Sequence, residues 1–183
     1  RSWHHNIDHP LNHKNLGAKK PFQLVIFQGG SGETNTVSER RTFSKTVKNI
    51  VNKIHNSGAE AALYMIHAYA EPHENTNPQM IKDIKKMYID AGNENNALVI
   101  PVGIAFENSY SENPDIKLHK HYDGSHPNLL GTYLAACVVF ASITQISPKK
   151  VEYSYFDKIN NEDKAYLQKI AHETVENFYD INL

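Results

Sequence analysis

Three short apolar runs, each followed by a stretch of helical periodicity, constrain the fold of this chain more than any other feature. Leu24–Phe27 is rich in β-branched residues and closes on Gly29-Gly30, so it reads as a buried parallel strand. Thr36 with Glu39 makes a capping box, and Phe43, Val47, Ile50, Val51 and Ile54 recur at helical spacing before Gly58 closes the helix. Ala61–Ile66 is the expected second strand. Asn77-Pro78 opens a second helix with Ile81, Ile84, Met87 and Tyr88 on one face, expected to stop near Gly92. Leu98–Ile104 is the expected third strand. Residues 128–144 are apolar nearly all round and predict a buried helix. An extended segment over Val151–Phe156 and a last amphipathic helix carrying Leu167, Ile170, Ala171, Val175 and Phe178 follow. Alternating strands and helices predict an α/β sheet with right-handed crossovers. Sites in such sheets lie beyond the carboxyl ends of the strands, where Gln28, His67, Glu107 and the loop around His126 are all expected.

Composition narrows the possible partners. A chain of 183 residues is about one domain, read as residues 1–183 with a polar, His-rich arm over 1–20. The net charge of −1 gives no strong field for nucleic acid, and Lys14, Lys19 and Lys20 read as a solvated loop. No apolar run approaches the ~20 residues that span a bilayer. Cys137, the single cysteine, sits in an apolar run and reads as a buried, reduced packing residue. His5, His9 and His13 have the spacing of ligands on a helix, but Pro10 interrupts it, so they and His4 are read as a polar arm and no metal is expected.

The chemistry concentrates in Tyr122-Asp123-Gly124-Ser125-His126-Pro127. An Asp three residues before a His can turn back and accept a hydrogen bond from the imidazole Nδ1–H. That fixes the tautomer, leaves Nε2 as a base, and stabilises the imidazolium once formed. Pro127 suits the first position of the following helix, which leaves His126 on the loop at its start. The alternative is that Asp123 caps that helix and His126 is an ordinary loop histidine. His119 and His121 alternate onto one face ahead of the motif and are read as solvated loop histidines bordering the entrance. His67, with Trp3 and Tyr69 as apolar walls, is a candidate for the pocket.

A second group of candidates follows the first strand. Gln28 can aim its amide at a developing oxyanion, or merely tie down the Gly29-Gly30 turn. Ser31 stands in a strand-to-helix turn as an elbow nucleophile would, although Glu33 takes the place of the last glycine. Gly29–Gly32 could hold an anion at a helix start, but they lack the spacing of a phosphate loop or dinucleotide fingerprint.

The Asp123-Gly124-Ser125-His126-Pro127 stretch, running into Gly131-Thr132-Tyr133-Leu134-Ala135-Ala136, resembles the last conserved block of the SGNH/GDSL hydrolases. Phe22–Ser31 resembles that family's third block, where Gln28 would help line an oxyanion hole; many members carry Gly-x-Asn-Asp there and this chain does not. The likeness runs from about Pro21 to Pro148. It implies a three-layer α/β sandwich around a parallel flavodoxin-like sheet, here without its first one or two strands. It implies a Ser-His-Asp triad with His126 as base and Asp123 as its orienting acid; Gly29, His67 and Glu107, from their place at or after the strand ends, are expected to line the pocket. A small-molecule or carbohydrate ester is the implied substrate, without a cofactor, and a secreted or periplasmic compartment is favoured. The family's nucleophile lies in a Gly-Asp-Ser or Gly-Asn-Ser turn, and neither tripeptide occurs here. The serine is therefore expected outside this chain, with Ser31 as the alternative nucleophile. The first strand is expected to present an open edge that pairs with the missing N-terminal segment or with a second copy. The rival reading is a non-catalytic binding module or pseudoenzyme on the same scaffold.

Overall fold

The computed structural model describes residues 22–183, so the His-rich arm and Trp3 lie outside the described residues. The elements run β1 (Leu24–Phe27), α1 (Val37–Asn56), β2 (Glu60–Tyr64), α2 (Met80–Asn95), β3 (Leu98–Ile100), α3 (Val102–Glu112), α4 (Leu129–Thr144) and α5 (Asn161–Tyr179). The strands form a parallel sheet in the order β1-β2-β3, with Leu24 opposite Glu60 and Phe27 opposite Leu63. This is the expected α/β class. The described residues divide into two compact units: those from Phe22 to Tyr64 with Lys86–Val99, and Met65–Lys85 with Ile100–Leu183.

In the first unit, Thr36 caps α1 as its sequence implies. Its Oγ1 accepts the Glu39 N–H at 3.1 Å and donates to the Glu39 carboxylate at 2.8 Å. Phe43, Val47, Val51 and Ile54 form the buried stripe that packs on β2. Each such side chain stabilises the fold by about 1.5–3 kcal/mol on burial. β1 is less buried than its composition suggests. It is an edge strand among the described residues, with Val25 inside and Ile26 38 % exposed. Tyr88 is fully buried, packs its ring 4.9 Å from that of Phe43, and accepts the Gly29 N–H at 3.0 Å. Gly92 does not stop α2, which runs on to Asn95. A Cβ there would stand 2.3 Å from Val99 Cγ2, so the glycine serves the close approach of helix and strand.

The second unit corrects the third strand. β3 ends at Ile100, and the residues expected to continue it form α3 instead. Pro101 occupies the N-cap position, and Val102, Ala105, Phe106 and Ser109 make a buried helical stripe. α4 and α5 pack on each other and on α3, with Leu134, Val138, Leu167, Ala171 and Val175 inside. The Tyr133 hydroxyl is satisfied within this core, donating to Tyr153 O and accepting from Gln168 Nε2, both at 2.9 Å. Cys137 is buried beside it as a free thiol, and burial pushes that thiol up to about 11. The segment expected to be extended after Pro148 forms no strand; a 3₁₀ turn at Pro148–Lys150 gives way to left-handed backbone at Tyr155, Phe156 and Asp157. Among the described residues, no helix is long and apolar enough to cross a membrane.

Candidate active site

The loop before α4 is fastened at both ends. His119 and Pro127 form an antiparallel bridge; Lys120 N–H donates to His126 O and Asn128 N–H to Leu118 O, each at 2.8 Å. Pro127 therefore precedes the helix rather than opening it. The cap is Asn128, whose Oδ1 accepts the Gly131 N–H at 3.0 Å and whose Nδ2 donates to Lys117 O at 2.6 Å. Asp123 thus does not cap α4. Gly124 carries φ +60°, and a Cβ there would lie 1.9 Å from Ala70 O. Only glycine lets the loop lie this close to the chain after β2, where Ala70 N–H donates to Gly124 O at 2.9 Å.

Within this frame Asp123 uses both oxygens. Oδ1 accepts the backbone N–H groups of Ser125 (2.8 Å) and His126 (2.9 Å). Oδ2 accepts the imidazole Nδ1–H of His126 at 2.9 Å. The His126 backbone donor comes first among the influences that hold the Asp123 carboxyl down to about 2; the Ser125 amide and the imidazole act in the same direction. The carboxylate is therefore charged at any neutral pH. With Nδ1 committed, Nε2 of His126 carries the lone pair, and the side chain is 70 % exposed. An apolar cavity of about 260 Å³ lies along α4 between Leu129, Tyr133, Phe140 and Tyr153. It includes neither member of the pair, so the imidazole stands on open surface.

His67 follows β2 and belongs to the same unit. It is not a simple pocket wall. Its ring stacks on Phe106 (centroids 4.5 Å apart, 16° between planes), and its Nδ1 lies 3.0 Å from Nε2 of His119. His119 is buried at 6 % exposure, contrary to its reading as a solvated loop residue. Its Nδ1 lies 2.6 Å from the Tyr110 hydroxyl and its Nε2 3.1 Å from Ala68 O. The alternation with His121 fails because the chain turns there, leaving His121 exposed. Burial first, then the charge His119 would carry, lowers His67 to about 4; His126 pushes more weakly the same way. Burial also lowers His119. Sequence reasoning found His67 but missed its partners, because Tyr110 and His119 stand among polar neighbours in the sequence and meet it only in the fold.

Glu107 lies in the middle of α3, exposed, and not at the end of a strand, because the strand expected to lead to it is a helix. Gln28, Gly29 and Ser31 fall directly after β1 in the first unit, with Gln28 and Ser31 exposed. Glu33 folds back over this turn: a Cβ on Gly29 would meet its carboxylate oxygen at 2.1 Å. Burial raises the Glu33 carboxyl above its usual range. An acidic group packed against the turn weighs against a phosphate there.

No protein-family model and no curated protein matches the sequence. Solved structures do. The fold is similar to that of a DUF4886 family protein from Bacteroides uniformis ATCC 8492, with a TM-score of 0.78 and 20 % identity over 96 % of this chain and 70 % of that one. It is also similar to a provisionally assigned SGNH hydrolase from Slackia heliotrinireducens, with a TM-score of 0.59 and 19 % identity over 73 % of this chain and 77 % of the other. The fold is therefore SGNH-like.

Proposed function

We propose that this chain carries the acid–base half of an ester hydrolase. The observation that supports it most is the 2.9 Å contact between Asp123 Oδ2 and His126 Nδ1, with Nε2 facing solvent. In this reading His126 Nε2 takes the proton of a seryl hydroxyl as it attacks an ester carbonyl. The same imidazolium gives the proton to the departing alkoxide, so the acyl-enzyme forms and the alcohol leaves. His126 then activates water for deacylation. Asp123 keeps the tautomer and stabilises the charged ring. The open setting of the imidazole suits a small-molecule or carbohydrate ester better than a substrate needing full enclosure.

The resemblance puts the serine in a Gly-Asp-Ser or Gly-Asn-Ser turn that these 183 residues do not contain. The proposal assigns the attacking serine to a part of the protein outside these residues. The same missing tripeptide favours the second reading, a non-catalytic binding module on this scaffold. A fluorophosphonate probe separates the two: the hydrolase is labelled on serine and the binding module is not. In the full-length protein, His126→Ala should lower hydrolysis of a p-nitrophenyl ester by at least about 10³-fold. Unchanged turnover would remove the hydrolase reading.

A further inference from the structure

Three polar groups behind the dyad loop are linked in a way that fixes where their protons sit. The Tyr110 hydroxyl accepts the Leu118 backbone N–H at 3.2 Å, so its own proton points to His119 Nδ1, 2.6 Å away. His119 must then carry its proton on Nε2, which faces both Ala68 O (3.1 Å) and His67 Nδ1 (3.0 Å). His67 Nδ1 is consequently the acceptor, and its proton is on Nε2. Ala68 O lies near both rings, 3.1 Å from His119 Nε2 and 3.3 Å from His67 Nδ1, so Tyr110 decides: the opposite chain of bonds would leave its proton without an acceptor among the described residues. His67 Nε2 has no hydrogen-bond partner among the described residues and is not among their fully buried polar atoms. It is an oriented donor with nothing among the described residues to donate to.

Its neighbours bear on its charge. Phe106 covers one face of the ring. The titratable groups acting on the pair are His119, Tyr110, His126 and Asp123. His67 stays neutral down to about pH 4, so it is an N–H donor and not a cation at working pH. The link between Ala70 and Gly124 ties the segment that bears His67 directly to the dyad loop.

We propose that His67 is a further catalytic residue of this site: a neutral imidazole, held in its tautomer by the Tyr110–His119 relay, whose Nε2–H donates to the ester carbonyl oxygen as that oxygen becomes an oxyanion. The assignment rests on the hydrolase reading above. Neutral histidines can serve as electrophiles in this way, and oxyanion donors act where charge develops rather than in the ground state. Tyr110 and His119 are positioning residues, since they act through His67.

The test uses the full-length protein labelled with ¹⁵N-histidine. At pH 7 both His67 and His119 should give the Nε2–H tautomer, and His67 should not titrate above pH 5. A His67 Nδ1–H tautomer, or titration near pH 6.5, overturns the proposal whether or not the protein is an esterase. On ester turnover, His67→Phe should lower kcat by about 10²-fold with little change in KM, and His67→Gln, which keeps an N–H donor, should recover part of it. Tyr110→Phe keeps the shape of the core and should shift the His119 tautomer populations while lowering kcat several-fold. If His126→Ala abolishes turnover and a folded His67→Phe does not lower it, His67 has no part in catalysis. If His126→Ala has no effect, the hydrolase reading itself fails and this assignment fails with it.

Discussion

His126 and His67 are imidazoles of one compact unit built on opposite plans. His126 is fixed by a carboxylate three residues away, within a single loop, and its working nitrogen stands in water. His67 is fixed by a histidine 52 residues away, against an aromatic face, with most of its ring withdrawn from water. The first arrangement favours a proton acceptor, because an adjacent negative charge and solvent stabilise the imidazolium. The second favours a neutral donor, because the cation would be desolvated and pressed by another histidine. One side-chain chemistry thus serves two tasks, and the environment decides which.

The comparison breaks first at Asp123. Asp123→Asn leaves the local hydrogen bonds to Ser125 and His126 available but removes the charge beneath the imidazole. It should cost on the order of 10³–10⁴-fold in kcat in the full-length protein, with the melting temperature little changed. A rate near wild type would show that His126 needs no orienting acid. The corresponding test for His67 is pH-dependent stability. An unfolded histidine titrates near 6.5, whereas folded His67 titrates near 4. Between those values the unfolded chain binds the extra proton, so stability is full above 6.5 and falls as pH drops towards 4. The loss from His67 is at most about 3 kcal/mol, and His119 adds to it with the same sign. Urea unfolding at pH 7 and pH 4.5 measures it, and His67→Phe should flatten the difference.

Legibility in the sequence follows the same division. The Asp123–His126 pair was readable because it is local: a carboxylate and an imidazole three residues apart, with a glycine between them, can only meet by closing the loop. α1 was readable for the same reason, through Thr36, Glu39 and a clean apolar stripe. α3 was not. Leu98 to Ile104 is one unbroken apolar run around a proline, and a run that short fits a strand or a buried helix equally. The spacing of Val102, Ala105, Phe106 and Ser109 carries the helical period, and Pro101 marks its start, but neither outweighs the β-branched residues before them. The His67–His119–Tyr110 relay depends on α3 and so was hidden with it. Its members meet only through tertiary structure, and no spacing rule reports that. The cap of α4 was misread for a smaller reason: Asn128 takes the capping position, and its neighbour Pro127 is spent on the bridge to His119.

Gly124 is where the two plans touch. Gly124→Ala adds a Cβ 1.9 Å from Ala70 O at a φ of +60°. The strain should cost about 2 kcal/mol or more, a fall of roughly 4–8 °C in melting temperature for a chain of this size. It should also disturb both histidines together, changing the ¹⁵N signals of His67 as well as those of His126. A variant that lost only the His126 signal would show that the two regions are independent.

The smallest effect is the sharpest control. His119 and His121 are two residues apart and looked equivalent as sequence. In the fold one is buried in a hydrogen-bonded cluster and the other lies on the turn, exposed beside Tyr122. His121→Ala should therefore move stability by less than about 0.5 kcal/mol. It should leave the pH dependence between 4 and 6.5 intact, since the groups acting on His67 are His119 and His126 and do not include His121. His119→Ala removes the ring that fixes the His67 proton and leaves the Tyr110 hydroxyl short of an acceptor inside the fold, at a cost of about 1–3 kcal/mol. Equal effects at the two positions would mean that burial, and not the relay, accounts for everything His67 does.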